Sequence, residues 1–171
     1  MISFDVVSLF TSIPLPTAKR ITDQLLTTNP SWKDNTKLTK SGILNLLNLC
    51  LSTEIQFEGS FYQQISSTPM GSPLSSFLAE AVMQDLEHQV LLNNTEVKLW
   101  DRYVDDVFSI VKTQHIRTLF DTINNITDRI AFTIEKEKDG QIAFLDVLLT
   151  RTDNGTIETH YTEKRHTPTR Y

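Results

Sequence analysis

The stretch from Arg102 to Ile110 reads RYVDDVFSI, and it places two adjacent aspartates, Asp105 and Asp106, inside an otherwise apolar segment. Neighbouring carboxylates repel each other, and burying a charge without a partner is costly. Residues 97–111 are rich in β-forming side chains, which predicts that the pair lies at or near a hairpin turn between two short strands. Carboxylates at such a turn can meet water and cations, although an isolated Asp-Asp pair is most often only a solvated turn.

A third acid, Asp5, occurs in a similar setting, the apolar segment ISFDVVSLF. Asp5 is far from Asp105 in sequence, but neighbouring antiparallel strands would bring the two together. Carboxylates on adjoining strand ends suit hard divalent cations such as Mg²⁺, and the cations would cancel the mutual repulsion. Two such ions about 4 Å apart would activate an attacking hydroxyl and stabilise a leaving phosphate oxygen. The sequence therefore predicts a metal site formed by Asp5, Asp105 and Asp106.

A glycine in a run of small residues precedes the longest helical pattern in the chain. The run is STPMGSPLSSFLAEAVM, with Gly71 directly ahead of the pattern at residues 72–92. Glycine lets a backbone approach a ligand closely, and a helix N-terminus favours negative charge such as phosphate. A simple start of a helix with a serine cap is the alternative interpretation.

The composition limits the function classes. The 171 residues suit one domain, with 39% hydrophobic and 22% charged residues. The net charge of −5 argues against a free-standing electrostatic nucleic-acid binder, but not against a catalytic module that holds metal ions. The single cysteine, Cys50, excludes a disulfide framework within the chain. No apolar run suits a membrane span, and MISFDVVSLF lacks the features of a signal peptide, so we expect an intracellular location, nuclear or cytoplasmic, without a membrane partner.

Hydrophobic periodicity and turn signals predict an α+β fold. We expect a largely antiparallel sheet with helices packed on one face. Thr17 and Thr39 are candidate helix N-caps, and Glu58-Gly59 is a candidate hairpin turn. The predicted helices cover residues 17–26, 38–51, 72–92 and 113–126, and the predicted strands lie within 2–10, 54–65, 97–111, 132–136, 141–151 and 156–164.

The ordered segments FDVVSLF, TPMGSPLS, YVDD, FTIEKE and AFLDV resemble motifs A, B, C, D and E of the reverse transcriptase palm domain. The wording of MGSPLS, FLDV and YTEKRHTPTRY is most similar to Penelope-like retroelements, retrotransposons whose polymerases are related to telomerase. The resemblance implies a palm at 1–151 and the palm end or start of the thumb at 152–171. It also implies an RNA-directed DNA polymerase, a nucleotidyltransferase that adds dNTPs to a DNA primer on an RNA template with two Mg²⁺ ions, Mn²⁺ being an alternative.

The resemblance further implies a role for each matching position. In the metal site, Asp5 and Asp105 would be shared ligands, Asp106 the second acid of the pair, and the carbonyl of Val6 an additional ligand. The remaining implied roles are the sugar gate at Phe10, the floor beneath the nascent base pair at Pro69, Met70 and Gly71, a proton donor to pyrophosphate at Lys136 or Lys138, and the primer grip at Phe144, Leu145 and Asp146.

The chain also departs from the family pattern. Many relatives have glutamine where Met70 stands, and a thioether cannot supply the hydrogen bonds of an amide. The fingers motifs that normally precede motif A are absent and the thumb is represented by its start, so we expect a fragment that is inactive alone. One alternative is a non-catalytic palm-like remnant or interaction module. Another is a nucleotide cyclase-like palm, against which the primer-grip segment FLDV argues.

Overall fold

The computed structural model describes residues 1–52, 54–64, 67–68, 72–92 and 94–161. It contains helices and strands in the mixed order expected of an α+β fold. The helices are α1 (Leu9–Ser12), α2 (Leu15–Thr28), α3 (Lys40–Leu51), α4 (Pro73–Leu92) and α5 (Ile116–Asn125), with short 3₁₀ helices at Pro30–Asp34 and Thr113–His115. The strands are β1 (Ile2–Val6), β2 (Glu54–Phe57), β3 (Ser60–Gln63), β4 (Val97–Tyr103), β5 (Asp106–Val111), β6 (Phe132–Lys136), β7 (Gln141–Phe144), β8 (Val147–Arg151) and β9 (Ile157–Tyr161).

A four-stranded antiparallel sheet with the order β4-β5-β1-β6 positions the acidic residues. Strand β1 is an interior strand, and its residues alternate between the two faces of the sheet. Ile2, Phe4 and Val6 are buried, whereas Ser3 is half-buried and Asp5 is exposed. The charge inside this apolar run is therefore not a buried charge, because alternation turns Asp5 to the face opposite Phe4.

Helices cover the buried face of this sheet, as the sequence predicted. Phe4 lies at the centre of this core, where its ring stacks on Phe120 and contacts Trp100 with a centroid separation of 5.7 Å. Apolar residues of α2, α4 and α5 complete the layer. The most deeply buried core side chains include Ile2, Phe4, Ile13, Leu78, Met83, Val90, Val107, Leu119, Ile123 and Ile130.

A second, smaller core lies on the other face of the central sheet. Strands β7, β8 and β9 form a separate three-stranded antiparallel sheet. Ile142 and Leu149 from this sheet pack with Phe108 of β5, and the ring of Phe144 lies 5.6 Å from that of Phe108. This packing covers part of the face that carries Asp5 and leaves a cavity beside Asp5 and Asp106.

Most predicted elements are present, with shifts that have local causes. Helix α3 begins after Thr39, whose side chain accepts a hydrogen bond from the Gly42 amide at 3.0 Å, as a cap should. Helix α2 instead begins at Leu15, ahead of the predicted cap Thr17, because proline is tolerated in a first helical turn. The first strand ends at Val6 and a short helix replaces its predicted continuation to residue 10.

Two further differences concern the C-terminal strands. The predicted strand 141–151 is two strands, β7 and β8, with a turn at Leu145 and Asp146. The last predicted strand is present as β9, while its predicted end at 162–164 lies outside the described residues. None of the helices that the structure describes combines the length and the apolar character that crossing a membrane requires.

Candidate active site

Two of the three predicted acids face each other across neighbouring strands. Asp5 of β1 and Asp106 of β5 are direct partners in the antiparallel register. Directly paired residues project to the same face, with their Cβ atoms about 4.5–5.5 Å apart. Asp5 is exposed and Asp106 is half-buried. The fold therefore brings two carboxylates that are about a hundred positions apart in sequence to one place on the open face.

Asp105 lies in the tight turn that joins β4 to β5. Tyr103 and Asp106 are the last paired residues, so the loop consists of Val104 and Asp105 alone. Val104 has φ of 57°, a left-handed conformation that two-residue hairpins require but that is unfavourable for a β-branched residue. The amide of Val6 donates a hydrogen bond to the carbonyl of Asp105 at 3.2 Å, which ties this turn to β1.

A cavity of about 300 Å³ opens beside the paired acids. Asp5 and Asp106 form one part of its wall, and the tip of the β7–β8 hairpin forms another. The complete lining is Ser3, Phe4, Asp5, Asp106, Thr133, Ile134, Glu135, Ala143, Phe144 and Leu145. The carboxylates and two of the three predicted primer-grip residues thus share one cavity, although they belong to different sheets.

The tip of the β7–β8 hairpin has the same construction as the acidic turn. Phe144 pairs with Val147, which leaves Leu145 and Asp146 as the loop. Leu145 has φ of 52°, so a bulky side chain again occupies the left-handed region ahead of an aspartate. Backbone strain of this kind persists only where surrounding structure enforces it, and it is concentrated at functional sites. Asp146 does not line the cavity.

The two lysine candidates lie away from the carboxylates. Lys136 pairs with Ile2 at the far end of β6, whereas Thr133 pairs with Asp5. Lys136 is three residues along β6 from Thr133, which corresponds to about 10 Å between the two positions. Lys138 lies farther along, in the turn that leads into β7, where its backbone bonds to Gln141. Neither lysine lines the cavity, so the structure does not choose between them.

Of the remaining predicted positions, some are described by the structure and others are not. Phe10 is half-buried and packs against the main core, and its carbonyl accepts a hydrogen bond from the Thr68 hydroxyl at 2.9 Å. Val6 is buried, and its amide donates a hydrogen bond to the Asp105 carbonyl in the acidic turn. Pro69, Met70 and Gly71 lie outside the described residues.

The donor chemistry of the site fits a hard divalent cation in part. Two carboxylates that face each other across a strand pair supply the oxygen ligands that Mg²⁺ prefers. Within the described ranges, however, no set of three or more His, Cys, Asp or Glu side chains forms a ready metal-binding group. The arrangement is thus a facing pair, Asp5 and Asp106, with Asp105 one residue away in the turn.

Several residues around the site were missed in the sequence. Ser3 and Glu135 line the cavity as register partners, and Thr133 lines it opposite Asp5. The signal was available, because Ser3 and Glu135 lie two residues from Asp5 and Thr133, and alternate strand residues share a face. Arg102, next to the YVDD segment, was also missed, and its partners on α4 were not visible in any local pattern.

A larger open groove of about 510 Å³ lies near the end of α2 and the start of α3. Trp32, Leu26 and Leu38 contribute apolar surface there, and Lys33 and Lys40 are the charged residues in its lining. This groove contains no carboxylate. The smaller cavity beside Asp5 is therefore the candidate active site, because the carboxylates of Asp5 and Asp106 line it.

No model of a known protein family matches the chain, and no curated protein is similar to it in sequence. Its fold is similar to that of two telomerase structures. Apo telomerase from Candida tropicalis, truncated from its C-terminal domain, has a TM-score of 0.64 and 15% identity over 94% of this chain. Telomerase from Candida albicans, in complex with a fragment of telomeric RNA, has a TM-score of 0.65 and 14% identity over 92% of this chain.

The chain spans about a third of the length of these telomerase chains, 35% of the first and 31% of the second. At this level of identity the likeness concerns the fold. The α+β architecture, with antiparallel sheets and helices, is therefore similar to that of a region of telomerase, and the predicted fold class is confirmed.

Proposed function

We propose that the chain is the palm of an RNA-directed DNA polymerase and that the cavity beside Asp5 is its catalytic centre. The observation that carries this proposal is the register pairing of Asp5 with Asp106 at the open face of the sheet. The telomerase-like fold supports it, because telomerase is a reverse transcriptase. The order of the motif-like segments along the chain agrees with the same assignment.

In this proposal Asp5 and Asp106 hold divalent cations, with Asp105 as the third acid. Bound Mg²⁺ would supply Lewis acidity to the primer 3′-hydroxyl and to the phosphate oxygens of the nucleotide. Phe10 excludes a ribose 2′-hydroxyl by steric overlap. The β7–β8 tip, through Phe144 and Leu145, contacts the primer end, since this tip shares the cavity with the acids.

Substrates and origin form the finer part of the proposal. RNA as template, a DNA primer and dNTPs are the substrates that the motif resemblance implies. One of the telomerase neighbours was determined with a telomeric RNA fragment, which supports an RNA partner for this fold. We assign the chain to a Penelope-like retroelement on the wording of MGSPLS and FLDV.

A non-catalytic palm-like module is the second candidate. Within the described residues no ready three-ligand metal group is present, and this observation favours the second candidate. The two proposals differ in what the acids do. In a polymerase palm they bind a divalent cation together, whereas in a remnant they bind no cation.

Titration with Mn²⁺, followed by the loss of its free electron paramagnetic resonance signal, tests the proposal. We expect wild-type chain to bind Mn²⁺, and Asp5→Asn and Asp106→Asn each to weaken the binding about tenfold or more, because an amide is a poor ligand for a hard cation. Asp128→Asn is the control, since Asp128 is exposed and does not line the cavity. Equal binding by all four proteins would favour the non-catalytic module.

A further inference from the structure

Arg102 makes more hydrogen bonds than any simple surface ion pair would. It lies on β4, two residues before Val104, and its side chain is only 9% exposed. Nε and one terminal nitrogen bond to Glu87 at 2.7 and 3.3 Å. Both terminal nitrogens bond to Glu80, each at 2.9 Å. Both carboxylates belong to α4, so one guanidinium joins the hairpin to this helix at two points.

A fifth hydrogen bond links Arg102 to the acidic turn. One of its terminal nitrogens donates to the carbonyl of Val104 at 3.0 Å. A guanidinium has five N–H groups, so five bonds match its donors in number. Val104 is the residue in the left-handed conformation directly ahead of Asp105. The same guanidinium therefore contacts both the helix and the strained residue of the turn.

Glu87, one of the partners of Arg102, is also fixed by a second contact. Glu87 also accepts a hydrogen bond from the Trp100 indole nitrogen at 2.9 Å, and the Trp100 ring contacts Phe4 in the main core. The hydrogen bonds that Arg102 donates to Glu80 lower the pKa of Glu80 below its ordinary value, and the same bonds raise the pKa of Arg102. Glu80 and Arg102 thus remain charged together, which favours the bidentate geometry.

We propose that Arg102 is a positioning residue of the candidate active site, because it fixes the Val104 carbonyl to α4 and so fixes the turn that presents Asp105. The consequence for cation binding rests on the proposed function. The positioning itself does not, since it concerns only the backbone of the turn. Loss of Arg102 frees Val104 to leave its strained conformation, and Asp105 then loses its fixed place beside β1.

Two neighbouring amides of β1 report separately on this effect. The Val6 amide bonds to the Asp105 carbonyl in the turn at 3.2 Å, whereas the Val7 amide bonds to the Ala131 carbonyl at 2.9 Å, next to β6. Looser packing of the whole fold accelerates hydrogen exchange at both amides. Release of the turn accelerates exchange at Val6 alone. The ratio of the two rates therefore separates positioning from general stability.

The test is amide hydrogen exchange by NMR on the wild-type chain and on Arg102→Gln. We expect exchange at Val6 to become about tenfold faster and exchange at Val7 to change less than about twofold. The matched control is Arg20→Gln, because Arg20 pairs with Asp85 of the same helix at 3.1 Å and has no bond to the turn. It should leave the ratio unchanged. Equal acceleration at both amides, or none at Val6, would overturn the proposal.

A second variant covers the case in which Arg102→Gln does not fold. Glu80→Ala removes two of the bonds from Arg102 and leaves its bonds to Glu87 in place. The Glu80 side chain is 48% exposed, so the substitution does not open a buried cavity. We expect about threefold faster exchange at Val6, with Val7 unchanged. An unchanged Val6 rate in this variant would overturn the proposal.

Mn²⁺ titration of the same variants separates this inference from the proposed function. If the function is right, Arg102→Gln weakens Mn²⁺ binding about fivefold or more, while Arg20→Gln does not. If wild-type chain binds no Mn²⁺, the proposed function fails, and the exchange ratio still decides the role of Arg102. Normal Mn²⁺ affinity in Arg102→Gln would overturn the link between the turn and the cation site.

Discussion

At the scale of single residues, the candidate site is a place where the sheet carries opposed like charges. Asp5 and Asp106 pair directly across β1 and β5. Like charges in this position destabilise a sheet, by an amount comparable to the roughly 0.2–1 kcal/mol that favourable cross-strand pairs contribute. Asp5 is exposed, so burial of its side chain does not explain its place in the strand. The proposed binding of cations would give the pair a physical reason.

Neutralising one member of this pair should stabilise the chain. We expect Asp5→Asn to raise the free energy of unfolding by about 0.5 kcal/mol at low salt, and the gain to shrink in about 1 M salt, where charges are screened. Urea unfolding with and without added salt measures the effect. Asp128→Asn makes the same change in net charge outside the cavity and should give no comparable gain. A loss of stability in Asp5→Asn would contradict the account.

Val104 is a second residue whose conformation lowers the stability of the fold, because the turn ahead of Asp105 requires a positive φ there. Val104 is 46% exposed and its φ is 57°. The left-handed conformation lowers the stability of the fold by about 1–2 kcal/mol at a non-glycine residue. Glycine avoids this strain, but its greater freedom in the unfolded chain lowers stability by about 0.5–1 kcal/mol. We expect Val104→Gly to be neutral or to raise the free energy of unfolding by up to about 1 kcal/mol.

Urea unfolding checks this expectation, and Val107→Gly is the matched control on the same hairpin. Val107 is fully buried in β5, so its loss should cost about 3 kcal/mol or more. A cost of more than about 2 kcal/mol in Val104→Gly would show that the left-handed conformation at this position is not strained.

At the scale of elements, the tie between α4 and β4 should depend on pH. The hydrogen bond from Arg102 is the largest cause that lowers the pKa of Glu80 below 4.5. A group with a lowered pKa in the folded state adds stability above its unfolded pKa, and this stability is lost as pH falls through the folded pKa. The contribution of Glu80 should therefore be present at neutral pH and disappear below about pH 4.5.

Comparison of wild-type chain with Glu80→Gln isolates this contribution. We expect the wild type to have the higher urea midpoint near neutral pH, and the two midpoints to converge as the pH falls below about 4.5. Other acids titrate equally in both proteins and cancel from the difference. A difference between the two urea midpoints that grows on acidification would have the wrong sign and would contradict a stabilising interaction between Arg102 and Glu80.

Elements with local signals were predictable from the sequence, whereas most contacts between elements were not. The cap at Thr39 and the turn at Glu58 and Gly59 lie where their residue types predict. The turn at Leu145 was missed, because a leucine in the left-handed region carries no turn signal. Arg102 was missed for a different reason, since its partners lie 15 and 22 residues away on another element.

The candidate site shows the same division. The alternation of residues along β1 predicts that Asp5 points away from the core. The order of the motif-like segments along the chain predicts that Asp5 acts together with the aspartates of YVDD. The cavity itself could not be predicted, because it forms between the central sheet and the β7–β8 hairpin of a separate sheet. Sequence periodicity describes the face of a strand, but it does not describe which hairpin covers that face.

At the scale of the whole molecule, we expect charge and length to limit what the chain does alone. The net charge is −5, and the chain spans about a third of the telomerase chains that share its fold. Polyphosphate backbones are bound by basic surface, which an acidic chain does not supply. We expect the 171-residue chain to show no Mg²⁺-dependent dNTP incorporation, on an RNA template with a DNA primer, above an Asp106→Asn background. Robust extension by wild-type chain would prove this expectation wrong.

The central claim is that the paired acids of the central sheet hold divalent cations, and anomalous diffraction from crystals soaked in Mn²⁺ tests it most directly. We predict an anomalous peak between Asp5 and Asp106, with carboxylate oxygens of both residues within about 2.5 Å. The peak should vanish in Asp5→Asn crystals grown in the same form. A map with no peak beside Asp5 and Asp106, at an Mn²⁺ concentration that occupies other carboxylates of the chain, would contradict the account.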